Sequence, residues 1–277
     1  MFQALIMGSR FASACSEGTG GRVHSVFDRA VNIEIVERGA DVSLLTLLSA
    51  DSDVSPTSLV TSMRGDSWGN YCKKGDNVIF IKDAVYLGSA PAIGGVPSAA
   101  VWKSARNEEI GGLPKLAREE ISARSKRVKL YLKENRIIMN EFKVESLDNL
   151  DVTSLLGWGM GLTPSGDDFL AGLLSATYFA QIVYGRKCDM LSAIVDTVLQ
   201  NMAAKTNQIS RHFLRYAAEG LWGRATERFM LAFYGNDDIA LDNAIQEKAS
   251  FGATSGIDEI QGIMFGLYEA VRLFREG

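Results

Sequence analysis

Ser165-Gly166-Asp167-Asp168-Phe169-Leu170-Ala171-Gly172 returns later in the chain as Ser255-Gly256-Ile257-Asp258-Glu259-Ile260-Gln261-Gly262. Both read S-G-x-D-x-x-x-G, and the apolar residues behind them keep register: Leu173 with Ile263, Leu174 with Met264, Tyr178 with Tyr268. Serine followed three residues later by aspartate has the form of a capping box, so each stretch marks a helix start. Capping does not account for the glycines. Gly166 and Gly256 fall at the first helical position. Gly172 and Gly262 lie inside the helices, where each costs about 1 kcal/mol relative to alanine. A cost repeated at matching places points to close backbone approach. For the interior pair the simplest cause is a helix–helix crossing. For Gly166 and Gly256 it is a ligand touching the backbone.

A helix start offers unpaired N–H groups and a partial positive charge, which suit phosphate or carboxylate. Two starts related by a pseudo-twofold could converge on one pocket. The loop before the first, Gly157-Trp158-Gly159-Met160-Gly161-Leu162-Thr163-Pro164, alternates glycines and ends on a stiffening proline. It lacks the Gly-Lys-Ser/Thr of a Walker loop and the G-x-G-x-x-G of a dinucleotide site. The anion-binding candidates are Gly161, Thr163, Ser165, Gly166, Thr254, Ser255, Gly256 and Asp258. Asp168 is the capping acid. Asp167 is an extra carboxylate with three readings: it complements the helix dipole, holds a Mg²⁺ that bridges to phosphate, or accepts a proton from substrate. Asp167 and Asp168 are therefore the catalytic candidates. Arg22 and His24, beside Ser25, read as a loop that could present an anion-binding and a proton-transfer group. Ser210 reads as a helix N-cap, with His212 in the following turn.

Outward from the repeat, the chain divides by period. Val31, Ile33 and Ile35 alternate with Asn32 and Glu34, as a half-buried strand requires. Val42–Leu48 and Ser58–Met63 are further short apolar runs, and Asn77–Ile81 with Ala84–Leu87 form a hairpin. Ala90–Gly112, rich in Pro and Gly, reads as the boundary. From Leu113 the period is helical, and Leu113–Arg136 carries the densest basic charge, read as a solvated face. Helices are predicted over Ser165–Tyr184, Asp189–Lys205, Ser210–Gly220, Arg224–Phe233, Asp238–Lys248 and Ser255–Glu276. The expected class is α+β: a small β-barrel or sandwich (1–110), then an all-α domain (111–277) carrying the repeat.

The composition bounds the partners. A chain of 277 residues with 47% hydrophobic and 22% charged residues is ordinary globular protein. Its net charge of −4 argues against general affinity for nucleic acid. No apolar run is long enough to span a membrane. The three cysteines, Cys15, Cys72 and Cys188, suggest neither a disulfide framework nor a metal site, and the two histidines are too few for one. Ala12-Ser13-Ala14-Cys15 has a faint lipoprotein look, but no basic residue precedes the short apolar run Ala4–Met7. The expected location is the cytoplasm.

The stretch Gly159–Gly172, G-M-G-L-T-P-S-G-D-D-F-L-A-G, resembles the AllH family, named for a subunit of bacterial oxamate carbamoyltransferase. Gly21-Arg22-Val23-His24-Ser25-Val26-Phe27, the Ile209-Ser210 helix start, and Gly252-Ala253-Thr254-Ser255-Gly256-Ile257-Asp258 support it. The family's last motif carries a His and a second Ser where this chain has Ala253 and Thr254. The resemblance implies purine-ureide (allantoin) catabolism: phosphate cleaves oxalurate to oxamate and carbamoyl phosphate, with two partner subunits. It assigns no catalytic residue. Phosphate, oxalurate, oxamate and carbamoyl phosphate are small anions, which the two helix starts would suit. The alternatives are a non-catalytic assembly or ligand-sensing subunit and a nucleotide- and Mg²⁺-dependent phosphotransferase.

Overall fold

In the computed structural model, which describes residues 1–36 and 42–276, the chain forms two units, Met1–Ser104 and Ala105–Gly277. The first unit runs β1 (Phe2–Gly8), α1 (Ser9–Glu17), β2 (Gly20–Val26), β3 (Ala30–Val36), β4 (Val42–Leu48), β5 (Ser58–Thr61), β6 (Asn77–Phe80), β7 (Ala84–Leu87), β8 (Ala90–Gly94) and β9 (Ala100–Trp102). Strand order is β5-β4-β3-β2-β6-β7-β8-β1-β9, and β1 pairs β5 as well. Eight strands therefore close into a barrel, and β9 lies parallel to the end of β1. Closure removes the free sheet edges that a sandwich would leave.

The alternation expected of β3 holds its register against β4, with Val31 opposite Leu47 and Ile33 opposite Leu45. Val31, Ile33, Leu45 and Leu47 are all buried in the barrel core. Phe11 of α1 joins that core and meets Phe80 edge to face at 5.4 Å between ring centroids. Ala90–Gly94 and Ala100–Trp102, within the stretch read as the boundary, are strands, and the division between the units falls in the same stretch, after Ser104. One expectation changes here. Arg22, His24 and Ser25 lie within β2, paired to β3, and not in a loop. Cys15, buried in α1, has its thiol pushed up to about 12 by burial.

The second unit comprises α2 (Asn107–Gly111), α3 (Arg118–Glu134), α4 (Val152–Leu155), α5 (Ser165–Tyr184), α6 (Asp189–Lys205), α7 (Gln208–Ala218), α8 (Arg224–Tyr234), α9 (Asp238–Ala249) and α10 (Ser255–Glu276). On α3, Ile121, Val128 and Leu132 face inward while Arg127 donates to Asp242 at 2.7 Å, so the basic stretch is a solvated, ion-paired face. Helix α5 is buried nearly all round, as a helix apolar on every side must be.

Its main partner is α10, and the interior glycines set how closely the two approach. A Cβ on Gly172 would lie 2.2 Å from the carbonyl oxygen of Glu259, and one on Gly262 would lie 1.9 Å from that of Phe169. Each would also sit 3.0 Å from the backbone nitrogen of Ile263 or Leu173, respectively. The contacts are reciprocal, so the repeat is a pseudo-twofold about this crossing. Side chains at both positions would hold the helices apart. Among the described residues no helix is long and apolar enough to cross a membrane.

Candidate functional site

Each helix start is closed by its own preceding loop. On α5 the N–H of Gly166 donates to the Trp158 carbonyl at 2.8 Å, and those of Asp167 and Asp168 to Pro164 at 2.9 and 3.1 Å. On α10 the N–H of Gly256 donates to Phe251 at 3.0 Å, and those of Ile257 and Asp258 to Thr254 at 2.9 Å. A Cβ on Gly166 would fall 2.0 Å from the Leu155 carbonyl, and one on Gly256 would fall 1.9 Å from that of Lys248. The chain's own backbone, in place of a ligand, explains both glycines. Of the donors that a helix start ordinarily offers an anion, these three on each helix are spent internally.

The side chains do converge. Asn140 donates to Ser165 Oγ at 3.0 Å and to Asp258 Oδ1 at 2.8 Å, and the Ser165 hydroxyl is bonded to Asp258 as well. In the other direction Thr163 and Ser255 share a hydrogen bond of 2.8 Å, and both are bonded to Asp168. Each aspartate thus reaches the serine of the opposite helix. The expected capping box is replaced by a crossed pair: the N-cap of α5 is Pro164, which has no side-chain cap. Ser165, Asp168 and Asp258 are all buried. One carboxylate oxygen on each aspartate, Oδ2, has no hydrogen-bond partner among the described residues.

The halves differ in charge. Asp168 is pushed up to about 7, chiefly by burial, against the hydrogen bond from Ser255. Glu259 raises it further, and Thr163 and Lys248 pull it down. Lys248 is ion-paired with Glu259, which also accepts from Thr226 at 2.5 Å. The counterpart of Glu259 in the repeat is Phe169, and the carbonyl role of Lys248 is taken on the other half by Leu155. Asp258 is raised by burial and held down by its bonds with Asn140, Ser165 and Thr254. Near neutral pH the two-aspartate site therefore has one group poised to give or take a proton, with a cation close by.

The other sequence candidates fall into place around this pair. Asp167 is buried, and its Oδ1 accepts from the Gly157 N–H at 2.8 Å. Its Oδ2 accepts from Thr206. Both oxygens hold loops together, and no group of three or more His, Cys, Asp or Glu among the described residues could hold a metal ion. Gly161 is exposed with φ +106°, and Trp158, Met160 and Leu162 beside it are exposed as well. Thr254 bonds Asp258 from its own helix start. Ser210 is not the N-cap of α7; Asn207 is, accepting from the Ile209 and Ser210 N–H groups. Asn207 also donates to the Leu162 carbonyl at 2.9 Å, bringing α7 to the same loop. Ser210 is buried, and burial lowers His212 to about 3, so its imidazole is neutral. Arg22 and His24 belong to the barrel unit; His24 Nδ1 and Ser25 Oγ are 3.1 Å apart.

Sequence reading missed Asn140, Lys248 and Glu259 beside the two aspartates, and Gln261, whose side-chain N–H donates to the Asn140 carbonyl at 2.8 Å. Glu259 and Gln261 lie within the repeat itself, and their divergence from Phe169 and Ala171 was the available signal. Asn140 sits in irregular chain and Lys248 at the end of α9, with no local signature for either.

Comparison with known families gives two matches. A family model described as oxamate carbamoyltransferase subunit AllH matches residues 155–267. A second, described as the AllH family N-terminal domain, matches residues 3–95. No solved structure matches the chain.

Proposed function

Because the chain belongs to the AllH family across both its barrel and its helical unit, we propose that it is a subunit of an oxamate carbamoyltransferase of the cytoplasm. It would act in purine-ureide catabolism with two partner subunits, and its reacting centre would lie at the crossed aspartates. The observation that carries this reading is Asp168, buried beside Ser255 and Thr163 and pushed up to about 7. In the cleavage of oxalurate, phosphate oxygen bonds the ureido carbonyl carbon and the bond from that carbon to the oxamate nitrogen breaks. The departing nitrogen needs a proton. A carboxyl half-protonated near pH 7 is matched to supplying it. Lys248 is the cation beside the pair and suits the negative charge of phosphate, oxalurate or carbamoyl phosphate.

Asp167 supports the centre by holding Gly157 and Thr206, and with both oxygens engaged it favours neither a Mg²⁺ bridge nor nucleotide phosphotransfer. The test is carbamoyl phosphate formation from oxalurate and phosphate by the chain assembled with its two partner subunits. Asp168→Asn is expected to cut the rate at least 100-fold while the complex still elutes at full size. A variant complex that keeps its full rate would overturn the catalytic reading and leave an assembly role.

A further inference from the structure

The barrel unit carries a polar cluster of its own, built on a break in β2. Its pairing with β3 sets Val23 opposite Ile33 and then Ser25 opposite Asn32, so His24 is an extra residue in the register, a β-bulge. Val23 belongs to the barrel core and Val26 packs against it. Unbroken alternation cannot bury residues three apart on one face. The inserted residue allows it, and turns His24 and Ser25 together to the other face. Neighbours on a regular strand point to opposite faces, yet here His24 Nδ1 and Ser25 Oγ are 3.1 Å apart. The serine is also held from its other side. Asn32, a residue that strands disfavour, is buried and donates to Ser25 Oγ at 3.2 Å. Thr46 donates to Asn32 Oδ1 at 2.9 Å, which fixes the way the amide points. With one lone pair of Ser25 Oγ taken by Asn32, the hydroxyl hydrogen is directed at His24 Nδ1, and the imidazole carries its own hydrogen on Nε2. His24 and Ser25 are half-buried and keep part of their surface open.

We propose that His24 and Ser25 form a nucleophilic site in the barrel unit, with Ser25 as the acceptor of an acyl group from an activated ester and His24 as its base. A hydroxyl directed at an imidazole nitrogen and oriented by a third group is the arrangement that activates a serine. Ser25 Oγ bonds the ester carbonyl carbon while its proton passes to His24 Nδ1. The bond from that carbon to the leaving oxygen breaks, and that oxygen keeps the bonding pair and takes the proton from His24. Water completes the cycle: its oxygen bonds the carbonyl carbon as His24 takes a proton from it, and His24 returns that proton to Ser25 Oγ as the acyl–serine bond breaks. Asn32 is the positioning residue. The proposal does not rest on the carbamoyl-transfer reading.

The purified full chain, mixed with p-nitrophenyl acetate, tests it. A burst of nitrophenol matching the amount of chain is expected, and peptide mass mapping of the quenched chain is expected to find the acetyl group on Ser25. Ser25→Ala should abolish the burst. His24→Gln, which keeps a polar side chain of similar length and removes the base, should slow it roughly 100-fold or more. Circular dichroism of both variants checks that the barrel is intact, and the mapping needs no variant, so a variant that fails to fold leaves the proposal open to refutation. No burst from the folded chain, an acetyl group on other residues and not on Ser25, or a folded His24→Gln that acylates at the original rate overturns it.

Discussion

Gly262→Ala sets two physical effects of opposite sign against each other. Within an isolated helix, alanine is favoured over glycine by about 1 kcal/mol. In this chain the added methyl would lie 1.9 Å from the Phe169 carbonyl oxygen and 2.8 Å from its carbon. The obstacle is backbone, so no rotamer change relieves it. Restoring ordinary contact of about 3.4 Å requires α5 and α10 to separate locally by about 1.5 Å, and a gap of even about 0.5–1 Å forfeits a quarter to a half of the dispersion energy of the atoms lining it. Overpacking of a tight core costs about 1–3 kcal/mol, and a backbone clash belongs at or above the upper end. After the propensity gain, a net loss of about 2 kcal/mol is expected. For a chain of this size that is a fall in Tm of roughly 4–8 °C, followed by circular dichroism. Gly172→Ala, facing the Glu259 carbonyl at 2.2 Å, is expected to behave alike. Because either methyl forces the same separation, the double variant should lose less than the sum, by about 1 kcal/mol. A Tm that rises or stays level in Gly262→Ala, or strictly additive losses, would refute the close crossing and with it the geometry that crosses serine and aspartate.

The remaining expectations concern the acids. Asp168 is raised from the ordinary 3.8 to about 7, so the folded chain holds this proton more tightly than the unfolded chain does. Its contribution to stability is complete below about pH 4 and is lost as pH rises toward 7, at up to about 1.4 kcal/mol per pH unit. Asp168→Asn should abolish that slope, and a wild-type-minus-variant difference in urea midpoint that is the same at about pH 5 and about pH 8 would contradict it. The Asp168 midpoint, read by carboxyl NMR, should rise in Lys248→Met and fall in Glu259→Gln, because the neighbouring cation lowers it and the neighbouring carboxylate raises it; shifts of equal sign would show that these charges do not act on it. Asp167→Ala frees the Gly157 N–H and the Thr206 hydroxyl. It should cost about 2 kcal/mol, seen as a Tm roughly 4–8 °C lower, and an unchanged Tm would show that the clamp carries no weight.

Reading along the chain found what is written locally. β3 alternates and β4 is a short apolar run, so their strand character is visible without the partner, and the predicted helices α5, α6, α8, α9 and α10 match the observed spans to within a residue or two. β1, with its irregular burial, and β8, which contains Pro91, carry no clean period. Their strand state is set by pairing with each other and with β5 and β7, which only closure of the barrel supplies. Ser210 shows the same limit from the other side. Its residue type favours an N-cap, but Asn207 takes the position, three residues earlier and bonded to the Leu162 loop as well.

The doubled S-G-x-D-x-x-x-G by itself determined that two equivalent helices begin at Ser165 and Ser255 and that both must approach another backbone closely, since a glycine's missing side chain is a property of the residue alone. Tertiary structure decided what each glycine faces and where each aspartate goes. A capping box joins residues of one turn and can be read from four letters. The bonds of Asp168 with Ser255 and of Asp258 with Ser165 span two helices, and they exist because Gly172 and Gly262 let those helices cross at backbone contact. Asn140 and Lys248 reach the same place from segments with no pattern of their own. The protonation of Asp168 follows from burial and neighbouring charge, which belong to the assembled fold and to no stretch of the sequence.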